Sequence, residues 1–234
     1  TNMRDTELMY TDMTGAILTG AILIGANMAH AKLNDADLTN IHAVNLAICP
    51  AFLPTDWACV QDNLIGPTAI LSGASLDGAN LSDIDMSGAV LGGVMATSLL
   101  GCPAHLPVDY FCFRNAILGP STTLPNLDLS GADLYNVNLS SAMLGDSDLS
   151  GANLYGANLS HADLFRVDLS GAILNGADLR ESYIFQTDFT DAILTGADIS
   201  SSSPTGFLTS IWNNTICPDG TNSDDNGNTC ENNL

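Results

Sequence analysis

A large aliphatic residue returns at every fifth position through much of the chain, and few folds can accommodate that period. From Asp148 to Leu179 the sequence reads DLSGANLYGANLSHADLFRVDLSGAILNGADL. The centres are Leu149, Leu154, Leu159, Leu164, Leu169, Leu174 and Leu179, and a small residue stands two places earlier at Ala152, Ala157, Ala162, Ala172 and Ala177. A helix repeats every 3.6 residues and a flat strand every two, so neither keeps such residues on one face. A chain that turns a corner every five residues does. The centre and the small residue then point inward and the other three outward. Four such sides close a coil, and stacked coils pair backbone to backbone as parallel strands do.

The pattern occurs in three runs. The first is centred on Met3, Leu8, Met13, Leu18, Leu23, Met28, Leu33, Leu38 and Ala43, and the second on Leu71, Leu76, Leu81, Met86, Leu91 and Ala96. The third goes from Leu124 and Leu129 to Leu194 and Ile199. Together they make roughly thirty units, enough for about eight coils of four. In this respect the chain resembles the pentapeptide-repeat proteins over most of its length. The resemblance implies an all-β fold, a right-handed quadrilateral β-helix; its hand and square section come from the resemblance and not from the period.

A longer repeat interrupts the short one. Cys49 to Cys59 reads CPAFLPTDWAC and Cys102 to Cys112 reads CPAHLPVDYFC, with Gly66-Pro67 and Gly119-Pro120 following. The offset of 53 (49 to 102, 59 to 112) is not a multiple of five, so the register shifts after each cassette. The expected organisation is one solenoid domain, 1–234. It comprises coils over 1–46, a Cys loop over 47–68, coils over 69–99, a second Cys loop over 100–121, coils over 122–204, and a cap and tail over 205–234. In the tail, Phe207, Leu208, Ile211, Trp212 and Ile216 form an amphipathic segment, helical or turn-like. It is expected to cover the open core and unpaired edge of the last coil.

Six cysteines allow fifteen pairings. The duplicated spacing favours Cys49 with Cys59 and Cys102 with Cys112, which leaves Cys217 with Cys230. Free buried thiols and a zinc site are the alternatives, although no CxxC spacing or histidine pairing supports zinc. Disulfides persist in oxidising compartments, which points to a secreted, periplasmic or cell-surface protein. The segment CPDGTNSDDNGNTC also resembles the Cys-bracketed tails of exported pentapeptide-repeat proteins.

The chain carries 26 acidic residues against five Lys and Arg, a formal charge of −21, although 46% of it is apolar. Disordered acidic tails lack such apolar content. A surface so acidic repels nucleic acid and anionic membranes, so no direct nucleic-acid binding is expected. No apolar run approaches a membrane span. A filled Leu/Ala core leaves no pocket for convergent catalytic groups. His30, His42, His105 and His161 are scattered at positions expected to face solvent. The chain is therefore expected not to be an enzyme.

Residues twenty apart stack on one face. This gives a column of Asp128, Asp148, Asp168 and Asp188, flanked by Ser130, Ser150, Ser170 and Thr190. Carboxylates about 4.8 Å apart repel by roughly 1 kcal/mol per pair in water. The column either meets cations or a cationic partner, or it exists because Asp hydrogen-bonds the turn backbone. Tyr135 and Tyr155 form a second column, and Phe165 and Phe185 a third; both read as a binding strip or as stacked surface rings. The tail residues Asn222, Asp224 and Asn226, followed by Gly227, match the first half of a calcium loop. The bidentate Glu is replaced by Asn233, so a plain turn competes with metal binding. A plain Asn/Gly turn is the preferred reading, so no cofactor is expected, and calcium is the one candidate weighed against that. Asn80, Asn138 and Asn158 begin sequons, but these follow from the ANLS repeat.

The leading functional expectation is a non-enzymatic, exported acidic scaffold that binds a protein or surface partner of unknown identity. Some pentapeptide-repeat proteins instead imitate DNA and occupy DNA gyrase, and the charge fits that alternative while the predicted disulfides do not. Ice binding by the Ser/Thr column is a further alternative. Self-association is expected through the N-terminal coil, giving a homodimer.

Overall fold

The computed structural model describes residues 1–202 and 208–231. Each five-residue unit repeats one local geometry. The residue before the centre makes a parallel β-bridge, the centre points inward, and two turn residues follow. The second turn residue has a positive φ, for example 58° at His161, 55° at Arg166 and 64° at Gly171. The next small residue donates its N–H back to the carbonyl of the centre, as Ala152 does to Leu149 (3.0 Å) and Ala162 to Leu159 (3.1 Å). Positive φ at the third of four residues with this closing bond is the pattern of a type II turn. This explains why Gly, Asn and Asp recur there: they enter the left-handed region at least cost.

Two compact units are present, Thr1–Ile117 and Leu118–Leu234. In the second unit, bridges join residues twenty apart without interruption, as in Asp128↔Asp148↔Asp168↔Asp188 and Asn138↔Asn158↔Asp178↔Asp198. Twenty residues are four five-residue units, so the chain forms a β-helical coil whose turns are tied by parallel backbone bonds. Leu149 N–H donates to Asp168 C=O (2.8 Å), and Asp148 N–H to Leu127 C=O (2.9 Å). Leu129, Leu149, Leu169, Leu154, Leu164 and Leu174 are all fully buried, with Ala152, Ala157, Ala162 and Ala172 between them. Each buried leucine contributes about 1.5–3 kcal/mol relative to exposure.

The small inward position also accepts hydroxyls. Ser147, Ser182, Thr187 and Thr215 are buried there. Ser147 Oγ donates to Leu124 C=O (2.8 Å), Thr187 Oγ1 to Leu164 C=O (2.8 Å) and Thr215 Oγ1 to Phe189 C=O (2.7 Å). A satisfied hydroxyl is inexpensive to bury, whereas an unsatisfied one is not.

The first unit has the same coil, interrupted by the two Cys cassettes. Neither cassette leaves the coil at once. Ile48 still bridges Asn27 and Phe52 bridges Lys32, while Gly101 bridges Asn80 and His105 bridges Asp85. Each then forms a short antiparallel hairpin: β1 (Ala58–Val60) with β2 (Asn63–Ile65), and β3 (Phe111–Phe113) with β4 (Ala116–Leu118). The hairpin turns Gln61-Asp62 and Arg114-Asn115 have positive φ at both residues, the requirement of a tight two-residue type I′ turn. β2 is buried along its length and returns Leu64 and Ile65 to the core. The three disulfides pair Cys49–Cys59, Cys102–Cys112 and Cys217–Cys230, with no free cysteine among the described residues.

The tail differs from the amphipathic segment expected from sequence. Ile211 bridges Asp188 and Ile216 bridges Ile193, so these residues continue the coil ladder. The spacing has lengthened from 20 to 23 residues, which hides the register from a five-residue reading. Trp212 takes the place of a central leucine, buried and stacked on Phe189 with ring centroids 4.4 Å apart. Leu208 is exposed, and Phe207 lies outside the described residues.

Candidate binding surfaces

The aspartate column begins with local chemistry. Each Asp stands one residue before a centre and bonds its own turn. Oδ1 of Asp128, Asp148, Asp168 and Asp188 accepts the backbone N–H of Ser130 (3.0 Å), Ser150 (2.8 Å), Ser170 (2.8 Å) and Thr190 (2.9 Å). Ser130 Oγ also donates to Asp128 Oδ1 (2.7 Å). These are Asx turns, in which a side chain imitates a backbone acceptor. The turn reading of the column is thus physically satisfied. The bridge register also keeps the four carboxylates in one line on the unit, with the hydroxyl residues beside them.

The same device shifts carboxyl ionisation elsewhere. The Thr39 hydroxyl and backbone N–H, with the Thr19 hydroxyl, hold Asp37 below the ordinary carboxylate range. The Ser87 backbone N–H does the same for Asp85. Asp178 is lowered chiefly by hydrogen bonding from Arg180, whose guanidinium reaches both its oxygens (2.9 and 2.6 Å). These three carboxyls therefore keep their charge to lower pH than an ordinary aspartate.

The aromatic columns are stacked ladders. Tyr135 and Tyr155 lie 5.4 Å apart and nearly parallel, and both are exposed. Phe165 stacks on Phe185 (6.0 Å), with Tyr183 alongside both. Arg166 sits over Phe165 and pairs with Asp146 at 3.2 Å.

In the tail, the side chains singled out for calcium are engaged within the loop. Asn222 caps the 3-10 turn Ser223–Asn226 by accepting the Asp224 N–H. Asp224 Oδ1 accepts the Asn214 N–H (2.8 Å), and Asn226 Nδ2 donates to Thr221 Oγ1 (2.9 Å). No group of three or more candidate metal ligands occurs among the described residues, and Asn233 lies outside them.

Three histidines are exposed as expected. His30 stacks on Tyr10, His105 faces Asp85 at 3.9 Å, and His161 faces Glu181 at 3.4 Å. His42 is a correction. It is half-buried in the column of Ile22, and its Nε2 has no hydrogen-bond partner among the described residues. Burial, reinforced by the nearby Arg4 charge, lowers its pKa against a weaker opposing hydrogen bond with the Ser72 backbone. No helix among the described residues is long and apolar enough to cross a membrane.

Comparison with known proteins bears on the same repeats. The profile of the family described as Pentapeptide repeats matches in eight copies, over residues 1–40, 69–94, 121–151, 132–171 and 162–200. Among solved structures, the chain is similar to a pentapeptide repeat protein of the Arabidopsis thaliana thylakoid lumen. Identity is 31% over 44% of this chain and 70% of that one, with a TM-score of 0.39. It is similar to HetL, a pentapeptide repeat protein involved in heterocyst differentiation regulation in the cyanobacterium Nostoc. Identity there is 27% over 94% of this chain and 90% of that one, with a TM-score of 0.27. QnrB1, a plasmid-mediated fluoroquinolone resistance protein, is 15% identical over 92% of this chain and 83% of its own, with a TM-score of 0.22. No curated protein sequence matches the chain.

Proposed function

The chain belongs to the pentapeptide-repeat family, and from that premise we propose that it is a non-enzymatic, exported scaffold whose acidic face binds a cationic protein or surface. We take its coil to be right-handed and four-sided, with the segment around Trp212 closing its core. The observation that carries the reading is the aligned column Asp128, Asp148, Asp168 and Asp188 with its hydroxyl neighbours. Like charges held in line by backbone register cannot move apart, so a cationic partner gains from all of them together. Export is supported by the three disulfides, which reducing cytosol does not maintain. The same disulfides weigh against a cytosolic target such as DNA gyrase.

The test replaces Asp148, Asp168 and Asp188 together by Asn and measures binding to a polylysine-coated sensor at low and physiological salt. Asn preserves the turn acceptor, so the fold is retained while three charges leave. Affinity is expected to fall about tenfold or more, with a shallower salt dependence. A second triple variant, D35N/D62N/D109N, removes the same charge from dispersed sites and should lose much less. Equal losses would reduce the column to general surface charge, and inhibition of gyrase supercoiling by the wild type would replace this reading with the DNA-mimic one.

A further inference from the structure

We propose that a cleft beside the first Cys cassette receives an arginine side chain from a protein partner, a site separate from the aspartate column. Asp56, Trp57 and Ala58 form one wall of this cleft of about 240 Å³, and Ser82, Asp83 and Ile84 the other. A cleft of this size lies below the range of whole small-molecule sites and suits one long side chain. Asp56 and Asp83 are both exposed turn residues with φ of 65°, and both line the cleft.

The indole is held in position. A Cβ on Gly66 would come within 2.4 Å of the Trp57 ring, so only glycine lets the backbone approach it this closely. Trp57 also packs against the apolar clusters of the first unit, yet it remains half-buried where it lines the cleft. A fixed aromatic surface beside two carboxylates is a recognition site for a cation. A planar guanidinium fits better than an ammonium, because it can stack on the indole and direct its N–H groups to carboxylates in the same plane.

The cation must come from outside the chain. Lys32 pairs with Asp12, Arg166 with Asp146 and Arg180 with Asp178. Arg114 lies over Phe113, and Arg4 lies near His42. These are all five Lys and Arg residues of the sequence.

The test uses the full chain with its disulfides intact. An N-acetylated, C-amidated Gly-Arg-Gly peptide is titrated while tryptophan fluorescence is followed; Trp212 is 1% exposed, so Trp57 dominates the response. Matching peptides with Lys or Gly at the centre are run in parallel. A saturable change is expected with the Arg peptide, a weaker one with Lys and none with Gly. D56N and D83N should each weaken Arg-peptide binding by about five- to tenfold. Asn tolerates the same positive φ, so both variants should keep the wild-type thermal midpoint. The proposal is overturned if the signal does not saturate, if the Gly peptide gives the same response, or if D56N and D83N bind like wild type. It is also overturned if the Asp148, Asp168 and Asp188 triple variant weakens binding as much as they do. An intact cleft response beside a failed polylysine test would reject the column and retain this site.

Discussion

The two Cys cassettes show what a duplication preserves and what it releases. Their backbones share the bonds that seat the hairpin on the coil. Leu46 N–H to Asp62 C=O (2.8 Å) is repeated by Leu99 to Asn115 (2.8 Å), and Leu64 to Ala43 (2.9 Å) by Ile117 to Ala96 (2.9 Å). Both have the hairpin, the positive-φ turn pair and the disulfide. Their side chains differ. The first cassette buries Asn63, whose amide donates to Val60 C=O (3.3 Å) and Gln61 C=O (2.6 Å) and accepts from Asn45 N–H (3.1 Å). Its counterpart in the second is the apolar, fully buried Ala116. Trp57 becomes Tyr110, and His42 becomes Met95. Turn geometry and cross-linking are thus sufficient to specify the hairpin, while the interior beneath it can be polar or apolar.

Breaking the cross-links tests that conclusion most severely. C49A/C59A and C102A/C112A should each lose about 2–3 kcal/mol in urea unfolding of the oxidised protein. The second should lose more, because Ala116 offers no substitute for the amide clamp of Asn63. A larger loss in the first cassette would show that the clamp does not support its hairpin. Next in size, N63A should cost about 1–3 kcal/mol, since it removes the partner of four backbone groups, Asn45 N–H and the Val60, Gln61 and Ser75 carbonyls, at a buried site. A cost near zero in the same assay would mean that the two interiors are equivalent.

The smallest effect concerns His42. A histidine whose folded pKa is depressed binds fewer protons folded than unfolded. Its contribution is therefore complete above its unfolded pKa, near 6.5, and declines as pH falls toward the folded value. Thermal midpoints between pH 7.5 and 5 should drop more in wild type than in H42M, which installs the residue found 53 positions on, Met95. The exposed pairs His105–Asp85 and His161–Glu181 are common to both proteins and cancel in the comparison. Parallel pH profiles would show that His42 is free to ionise.

Most of the coil was legible from the sequence because its period is backbone geometry written in side-chain size. Leu149, Leu154 and Leu164 had to be inside, and the duplicated spacing pointed to the cysteine pairs that formed. The role of Asp148 and Asp168 in their own turns followed from the reach of a short carboxylate. Other features depended on contacts that a period does not encode. Ser147 and Thr187 stand at the small inward position by number, but the backbone carbonyls that satisfy their hydroxyls are not encoded in a period. Ile211, Trp212 and Ile216 re-enter the ladder after three extra residues, which breaks the count. His42 occupies an outward position by number, yet Nε2 is sealed from solvent. The Trp57 cleft joins residues 56–58 to residues 82–84, a pairing set by how a cassette lies on its coil and absent from any local motif.

The bridge register of the second unit also has a consequence for how such a chain changes length. Residues 20 apart are neighbours on every side of the coil from Thr123 to Asp198. Excising 142–161 would join chemically equivalent corners and leave every remaining ladder in step, whereas removing a single pentapeptide would send each downstream residue to the adjacent side. Growth and shrinkage by whole laps are conservative edits, and any other increment must be compensated, as where the bridge spacing lengthens to 23 residues at Ile211.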